Sequence, residues 1–456
     1  MLLTEMNWSF TEIILLILTL IIGFLFTYFI IPKVIKLMKT KNYVGIDIHK
    51  NSRPKVAESG GIGIVMGFTI TSIFLMIFFP KFSNETLILA LTVIISGLIG
   101  YIDDRVKLKS RYKLILTLLT GIIIFIANFI GFINIQSPTI PILGKLRLTL
   151  IYPLVVPIVV VVFANTVNML EGYNGEGSGV SIITLIFLLI CGIIWNSTEG
   201  VLYTLISLSV IIPFYLFNKY PAKIFPGDVG TLSIGAIFAG IALFASLEAA
   251  VFCALFIHVF NSFYVLYSVK GFFESSEIQE SKSDVILLKN DELKASDQKD
   301  AALTLPRLIL AHGNLKEPDL VKNFYAISVI CGCFAIFTTL MMAWTINQIE
   351  FGILLVVTPI LFVLLIIMLI FFPKIRGIIA LMLLLMIAGY LLLLLIEIFI
   401  MPIEFIDFVV FGIRIPTDII ISLIIVVPCL LVWYYISIRY FWHVIEKMKL
   451  KSINKT

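Results

Sequence analysis

Charged side chains are scarce in this sequence, because Asp, Glu, Lys and Arg make up only 13% of its 456 residues. Soluble globular domains carry about 25% of such residues, whereas 60% of this chain is hydrophobic. Cysteine is also rare: the five cysteines lie in apolar runs and include no CxxC pair, so neither a disulfide framework nor a cysteine-bound metal is implied. The composition therefore indicates a lipid environment.

Several motifs of soluble enzymes are absent as well. The chain has no GxxxxGK[ST] phosphate loop, no HExxH zinc motif and no GxSxG nucleophile turn. The spaced aspartates of the CDP-alcohol phosphotransferases are also missing. Residues 1–12 contain two Glu and no basic segment, so the first apolar run is predicted to be a retained helix rather than a signal peptide.

Thirteen apolar runs divide the chain into segments of bilayer length. A helix needs about 20 mostly apolar residues to cross the hydrocarbon core. Barrel strands would be about ten residues long with alternating polarity, and these runs have neither property. The sequence therefore predicts an all-α, polytopic membrane protein. The runs are centred on residues 11–32, 61–79, 86–102, 114–133, 150–170, 179–195, 200–217, 231–246, 249–269, 324–345, 352–372, 377–400 and 418–438.

Basic residues are distributed unevenly between the connections of these runs. With the N-terminus outside, 29 of the 33 Lys and Arg residues fall in the inner segments, and Lys81, Lys145, Arg147 and Arg414 remain outside. Because cytoplasmic loops are enriched in Lys and Arg, the sequence predicts a multi-pass protein of the cell membrane. The net charge of +5 then reflects topology and anionic lipid headgroups, so no nucleic-acid partner is expected. The predicted inner segments are residues 33–59, 103–113, 171–177, 218–230, 270–322, 373–376 and 439–456.

The longest inner segment, residues 270–322, contains ten acidic and eight basic residues. Connections of this length are usually functional or disordered. We expect its middle, residues 274–300, to be solvated and flexible. Its end, residues 303–318, is less polar and is expected to have local order.

Two polar clusters flank the second and third apolar runs. The first, residues 45–61, contains Lys50 and Glu58 among Gly and Pro residues; this composition suits an anion, although a membrane anchor explains it too. The second places Asp103 and Asp104 at the inner end of the third run, and five cations ending with Lys113 follow within nine residues. Carboxylates bind Mg²⁺ and cations bind phosphate. Mutual neutralisation at the membrane interface is the structural alternative.

A third cluster ends the fifth apolar run. Asn165 and Asn168 are spaced i, i+3 and therefore share a helix face. Asn174 lies among four glycines in residues 171–179, which allow the backbone to approach a ligand closely. An ordinary turn between helices would need fewer polar groups, so this pattern favours a binding site.

Two smaller clusters complete the polar face. Phe225 precedes a Pro-Gly-Asp sequence in which Asp228 either caps the next helix or presents its carboxylate to a metal. Arg307 and His312 lie near the end of the long inner segment, and an Arg can donate to two oxygens of a pyrophosphate. All five clusters fall on the predicted cytoplasmic face. Together they indicate a site for phosphate groups and Mg²⁺, with Mn²⁺ as an alternative.

Taken in order, the motifs resemble those of the polyprenyl-phosphate N-acetylhexosamine-1-phosphate transferases, glycosyltransferase family 4. Asp103-Asp104 resembles the aspartate pair of the family. Residues 165–175 resemble its N-x-x-N-x-x-[DA]-G-x-N-G stretch, although Glu171 stands at the [DA] position, and residues 227–230 resemble its G-D-x-G element.

The branch of the family is indicated by two further segments. Residues 45–61 and the sequence Leu-Pro-Arg at 305–307 are similar to the eukaryotic and archaeal dolichyl-phosphate enzymes. The eukaryotic Arg-His-Arg before the Pro-Arg is replaced here by Ala-Leu-Thr at 302–304, so the choice of sugar is not implied. The resemblance covers about residues 10–346 and implies a ten-span core, with residues 347–456 as an extension of about three spans.

The resemblance implies transfer of N-acetylglucosamine-1-phosphate, or a related sugar phosphate, from a UDP-sugar to a polyprenyl or dolichyl phosphate, with release of UMP. This would be the first step of lipid-linked oligosaccharide assembly. The implied partners are both substrates and membrane lipids, and homodimerisation stays open. The alternative, a transporter or lipid flippase, would place ionisable groups inside its spans, where Glu397 is the main example here. The implied roles are Mg²⁺ binding by Asn168 and Asp228, catalysis by Asp103, Asp104 and Lys113, and substrate binding by Lys50, Glu58, Asn165, Asn174, Phe225, Arg307 and His312.

Overall fold

Helices dominate the computed structural model, which describes residues 8–146, 151–269, 283–403, 408–410, 413–415 and 417–453. Within these residues the all-α, polytopic architecture is confirmed. The helices are α1 (Phe10–Thr40), α2 (Gly61–Phe78), α3 (Ser83–Val106), α4 (Ser110–Phe129), α5 (Ile151–Asn168), α6 (Glu176–Ile194), α7 (Thr198–Asn218), α8 (Gly227–Phe244), α9 (Glu248–Ala254), α10 (Phe256–Val269), α11 (Leu305–Leu310), α12 (Glu317–Thr345), α13 (Phe351–Phe371), α14 (Arg376–Phe399) and α15 (Thr417–Ile453).

Each of the thirteen apolar runs forms helix, but two of them differ from a single long span. Among the described residues, eleven helices are long and apolar enough to cross a membrane. The fifth run forms α5, which is a shorter apolar helix. The ninth run is interrupted at Leu255, so that α9 and α10 are inclined to each other by 67°. Hydropathy alone does not reveal such a bend, because both halves of the run are equally apolar.

Nine short β-strands lie in the connections between the described helices and form four small sheets. The strands are β1 (Val44–Ile46), β2 (Lys55–Ala57), β3 (Thr139–Ile140), β4 (Gly144–Lys145), β5 (Val285–Leu287), β6 (Glu292–Ala295), β7 (Leu315–Lys316), β8 (Phe408–Val410) and β9 (Ile413–Ile415). β1 and β2 form an antiparallel hairpin between α1 and α2. Ala57 of β2 also bridges to Ile224, just before α8. This contact connects the first polar cluster to the fourth.

The long inner segment is more ordered than its composition suggests. β5, β6 and β7 form one antiparallel sheet in the order β5-β6-β7. Leu293 and Ala295 of β6 are fully buried, and Asp291 Oδ1 accepts a hydrogen bond from the main-chain nitrogen of Asn51 at 2.8 Å. The expectation is therefore wrong for residues 285–295, because alternate apolar residues anchor the strands there. Residues 297–300 are exposed, as expected, and residues 270–282 lie outside the described part of the chain.

Close backbone contacts bring α2 and α3 against the first turn of α8. A Cβ atom on Gly61 of α2 would lie 2.0 Å from the main-chain nitrogen of Gly230. A Cβ atom on Gly100 of α3 would lie 2.3 Å from the main-chain oxygen of Asp228. Both distances exclude any side chain larger than hydrogen. The glycines thus let the start of α8 sit directly beside the end of α3, where the second polar cluster lies.

Of the last three helices, α14 and α15 pack closely against the helices that precede them. The Trp433 ring of α15 lies edge-on to Phe260 of α10, with ring centroids 4.8 Å apart. In α14, the Tyr390 hydroxyl donates to Thr338 Oγ1 of α12 at 3.0 Å. α13 is by contrast mostly exposed on the surface of the bundle. The division into a core of residues 1–346 and an extension of residues 347–456 stays a prediction.

Candidate active site

The end of α3 and the beginnings of α4 and α8 meet at one end of the bundle. Lys113 Nζ, on α4, lies 2.6 Å from Asp103 Oδ2 of α3 and 2.5 Å from Asp228 Oδ2 of α8. The side chains of Lys113 and Asp103 are 8% and 1% exposed, whereas that of Asp228 is 28% exposed. The ammonium group is therefore held out of water between two carboxylates, one of which stays accessible to a ligand.

Asn168 joins this cluster from the last turn of α5. With its amide oriented to satisfy its neighbours, the oxygen accepts from Lys113 Nζ at 2.7 Å and the nitrogen donates to Asp228 Oδ1 at 2.8 Å. The same nitrogen lies 2.6 Å from Thr231 Oγ1. We call Asp103, Lys113, Asn168 and Asp228 the lysine–carboxylate cluster. Carboxylate and amide oxygens are the ligands that Mg²⁺ takes in proteins, so the donor set fits this metal.

Asp104 has a different environment from its neighbour Asp103. Its Oδ1 accepts from the main-chain nitrogen of Asp228 at 2.8 Å, and its Oδ2 accepts from Ser59 Oγ at 2.7 Å. Gly227, with φ of +64°, permits this approach, because a Cβ atom there would lie 2.4 Å from Asp104 Oδ2. A carboxylate beside the first N–H groups of a helix is favoured by the helix dipole. Asp104 thus fixes the first turn of α8, which carries Asp228.

Asn174 and Lys50 belong to a second polar network at the same end of the bundle. Asn174 Nδ2 donates to Asp47 Oδ2 at 3.0 Å and to Glu317 Oε1 at 2.5 Å. Lys50 Nζ contacts the carboxylate of Asp47 and lies 3.7 Å from Glu317 Oε2. The ammonium also lies 4.5 Å from the centre of the Tyr220 ring. The interpretation of the sequence missed Glu317, since no local pattern connects it to Asn174, 143 residues earlier.

Glu58 and Phe225 lie in the segments that lead into α2 and α8. Glu58 is half-buried, and burial together with the nearby Asp104 raises the pKa of its carboxyl. The main chain of Phe225 is fixed on both sides: its nitrogen donates to Ala57 O and its oxygen accepts from Gly60 N, each at 2.8 Å. The main chain that carries the half-buried Phe225 ring is therefore fixed beside the first polar cluster.

Asn165 and His312 are not members of the lysine–carboxylate cluster. Asn165 is one turn deeper in α5 than Asn168, and its Nδ2 donates to Thr117 Oγ1 at 3.1 Å and to Val161 O at 2.9 Å. The bond to Thr117 joins α5 to α4, and the bond to Val161 stays within α5. His312 follows the end of α11 and is exposed.

Arg307 is fully buried and organises the connection in front of α11. Its Nε donates to Ser296 O at 3.1 Å, and Nη2 donates to Gln298 O at 2.6 Å. Nη1 donates to Ala301 O at 2.7 Å and to Ala302 O at 3.1 Å. In this conformation four of its five N–H donors are directed at main-chain carbonyls, so pyrophosphate binding by Arg307 stays a prediction.

Glu171 occupies the turn that links α5 to α6. Its Oε2 is buried, and the main-chain N–H of Gly177 interacts with the carboxylate. Burial raises the pKa of this carboxyl from 4.5 to about 8. A Cβ atom on Gly177 would lie 1.8 Å from Glu171 Oε2, so the carboxylate packs directly against the first turn of α6. Burial thus favours the neutral form of the Glu171 carboxyl in this turn.

The fold defines a multi-pass membrane protein, and its lysine–carboxylate cluster has the charges and ligands suited to phosphorylated substrates. The family model for glycosyl transferase family 4 matches residues 86–246, which include all four members of the cluster. A putative glycosyltransferase of Methanocaldococcus jannaschii is 31% identical over 320 residues, covering 70% of this chain and 95% of the relative. The chain therefore belongs to glycosyl transferase family 4, the polyprenyl-phosphate N-acetylhexosamine-1-phosphate transferases.

Other relatives have more specific names. A putative UDP-N-acetylglucosamine–dolichyl-phosphate N-acetylglucosaminephosphotransferase of Sulfolobus acidocaldarius is 33% identical over 244 residues, covering 52% of this chain and 73% of the relative. A phospho-N-acetylmuramoyl-pentapeptide-transferase of Staphylococcus saprophyticus is 28% identical over 278 residues, covering 55% of this chain and 83% of the relative. These names agree with an enzyme and do not favour the transporter alternative.

Proposed function

We propose that this protein transfers N-acetylglucosamine-1-phosphate, or a closely related sugar phosphate, from a UDP-sugar to a polyprenyl or dolichyl phosphate and releases UMP. The observation that carries the proposal is the lysine–carboxylate cluster, in which Lys113 is held between Asp103 and Asp228 inside the segment matched by the family. The name of the archaeal relative from Sulfolobus acidocaldarius supports this choice of substrates.

The chemistry joins two anions, so electrostatic repulsion is the main obstacle. An oxygen of the lipid phosphate attacks the sugar-proximal phosphorus of the donor, the bond from that phosphorus to the bridging oxygen breaks, and UMP leaves with the electron pair. Lys113 offsets the repulsion by donating to phosphate oxygens. Asp103 orients the lipid phosphate; a general base is optional, because a phosphate monoester with a second pKa of about 6 is already largely dianionic at pH 7.

A divalent cation suits the charge balance of the cluster. Asp103, Asp104 and Asp228 contribute three carboxylates. Lys113 and Arg105, which donates to Ser59 beside Asp104, contribute only two positive charges. Asp228, the most exposed of the cluster carboxylates, and Asn168 are the residues that would hold Mg²⁺, with Mn²⁺ as an alternative. When bound, the metal supplies positive charge to the pyrophosphate of the donor. Asp104 would keep Asp228 in place through the first turn of α8.

The membrane orientation is also part of the proposal. The lysine–carboxylate cluster and the Asn174 network lie at the end of the bundle that carries most Lys and Arg residues. Because positive loops remain in the cytoplasm, the active site would face the cytoplasm from within the cell membrane. The reaction would then begin the assembly of a lipid-linked oligosaccharide at this face.

Turnover by the purified full-length protein tests the proposal directly. Radiolabelled UDP-N-acetylglucosamine is incubated with dolichyl phosphate or undecaprenyl phosphate in the presence of Mg²⁺. The expected result is a lipid-linked product and one UMP per sugar transferred, with a preference that identifies the acceptor. Release of UDP in place of UMP would contradict phosphosugar transfer, and a lack of product with both lipids would contradict the proposed substrates.

A further inference from the structure

The side chain of Asn174 has all of its hydrogen-bonding groups occupied by protein. Its Nδ2 donates to Asp47 Oδ2 at 3.0 Å and to Glu317 Oε1 at 2.5 Å. Its Oδ1 accepts from Ala222 N at 2.6 Å and from Lys50 Nζ at 3.4 Å. A carboxamide offers two N–H donors and two acceptor lone pairs. Any hydrogen bond from Asn174 to a ligand must therefore replace one of these four bonds.

Glu317, the first residue of α12, makes the strongest connection in this network. One carboxylate oxygen, Oε1, accepts from both the main-chain nitrogen of Asn174 at 2.7 Å and its Nδ2 at 2.5 Å. Glu317 is only 2% exposed, and hydrogen bonds to a buried charged group are stronger than those between neutral groups. This single oxygen therefore fixes both the backbone and the side-chain orientation of Asn174.

A metal site is a less suitable explanation of the same residues. Ligand atoms of Asp47, His49 and Glu317 lie within 4.8 Å of one another, as metal ligands would. However, Lys50 contacts the carboxylate of Asp47 and lies 3.7 Å from Glu317 Oε2. The ammonium group neutralises part of the charge of the two carboxylates. Both carboxylate side chains are also only 2% exposed, unlike the 28% exposed Asp228, so neither is open to an incoming ion. The arrangement is therefore a filled polar network around Asn174.

We propose that Glu317 is a positioning residue that controls nucleotide affinity through Asn174. The inference rests on the proposed function, because it takes the base of a uridine nucleotide to bind against the turn that contains Asn174. The network ties this turn to the loop carrying Lys50 and, through Ala222, to the segment that leads to Phe225. Glu317, at the start of α12, thus stabilises the relative positions of this turn, the Lys50 loop and the segment that leads to Phe225.

Three substitutions at one position separate this role from a general effect on stability. Glu317→Ala leaves two N–H groups of Asn174 without their acceptor, so the turn relaxes and the nucleotide binds less tightly. Glu317→Gln keeps an Oε1 acceptor of the same length, and Glu317→Asp withdraws the acceptor by one methylene. The lysine–carboxylate cluster is unchanged in all three variants. We expect the effect to appear in KM for the UDP-sugar and in the dissociation constant of UDP, with little change in kcat.

The experiment compares these variants as full-length proteins in detergent, with Asp319→Asn as the matched control. Asp319 is on the same helix, is 51% exposed and pairs with Lys322 at the surface. We expect Glu317→Ala and Glu317→Asp to raise KM and the dissociation constant of UDP by about 10-fold, with kcat within about threefold of the wild type. Glu317→Gln should recover most of the loss, and Asp319→Asn should match the wild type.

Two results would overturn the inference. One is a KM for Glu317→Ala within twofold of the wild type, and the other is a Glu317→Gln variant as impaired as Glu317→Ala. If Glu317→Ala does not fold, Glu317→Asp and Glu317→Gln decide the question. Lost affinity in Glu317→Asp with retained affinity in Glu317→Gln supports the hydrogen-bond role, and wild-type affinity in both variants, or lost affinity in a folded Glu317→Gln, contradicts it. A wild-type protein that binds no UDP would instead contradict the proposed function, and the inference with it.

Discussion

Lys113 Nζ lies 2.5 Å from Asp228 Oδ2, although the two residues are 115 positions apart in the sequence. This ion pair joins α4 to α8 beside the last turn of α3, where Asp103 lies 2.6 Å from the same ammonium group. The positive charge of Lys113 explains how the last turn of α3 and the first turn of α8 can both carry a carboxylate at a membrane boundary. Because the charges of Lys113 and Asp228 are paired, replacing one of them also changes the environment of the other.

Replacement of Asp228 by Asn tests the catalytic importance of the carboxylate. Asn has the same shape but no charge, so the fold should be retained while phosphate transfer falls by about 10² to 10³-fold. The response to Mg²⁺ should be lost as well, and chelation of divalent cations should abolish wild-type transfer reversibly. The measurement is the initial rate against Mg²⁺ concentration. Glu350→Gln, an exposed carboxylate at the start of α13, is the control; near wild-type activity of Asp228→Asn would rule out the proposed metal site.

Removal of Lys113 should destabilise the protein through Asp103. The Asp103 side chain is 1% exposed, and a buried charge that loses its partner costs about 3 kcal/mol or more. Lys113→Ala should therefore lower the free energy of unfolding, and the double variant Lys113→Ala/Asp103→Asn should recover much of the loss. Thermal unfolding in detergent measures both effects. A double variant that is as unstable as Lys113→Ala, or less stable, would show that Lys113 does not neutralise Asp103.

The raised pKa of the Glu171 carboxyl should make the stability of the folded protein depend on pH. Its pKa is about 8 in the folded protein, against an ordinary value of 4.5, so the folded state holds this proton more tightly than the unfolded state. The stabilisation is fully present below pH 4.5 and is lost as the pH rises through about 8. Glu171→Gln removes the titration, so its melting temperature relative to the wild type should rise between pH 6 and pH 9, by about 4 °C. An identical pH dependence in both proteins would contradict burial of this carboxyl.

Cysteine accessibility tests the orientation in the membrane. In a background without native cysteines, substitutions at Asn84, Asn196 and Met401 should react with an impermeant reagent from outside the cell. Substitutions at Ser281 and Lys455 should react only after permeabilisation. The expectation follows from the distribution of Lys and Arg among the connections. Labelling at Ser281 in intact cells would reverse the orientation and place the active site outside.

Local patterns predicted much of the helical architecture. A helix in lipid satisfies its own main-chain hydrogen bonds, so each apolar run forms helix whatever its neighbours are. The bend at Leu255 and the sheet within residues 283–316 were not predictable in this way. The bend leaves no trace in hydropathy. The sheet depends on the burial of Leu293 and Ala295 against the rest of the protein.

For the candidate site, the sequence likewise predicted which residue types are present but not all of the contacts between them. The sequence identified Asp103, Lys113, Asn168 and Asp228 as polar groups of suitable chemistry, and the structure brings their side chains into contact. It did not indicate Glu317, because the start of a helix has no local feature that points to a partner 143 residues away.

The sequence by itself determined the membrane environment, the helical segments, the charge asymmetry of the connections and the family. These properties depend on composition and on short motifs, which are local. The tertiary structure alone decided that Asp103 pairs with Lys113 while Asp104 caps α8, although the two aspartates are adjacent. It also decided that Arg307 is buried among main-chain carbonyls. The physical reason is that hydrogen bonds and ion pairs depend on side-chain direction, and direction is set by how distant helices pack.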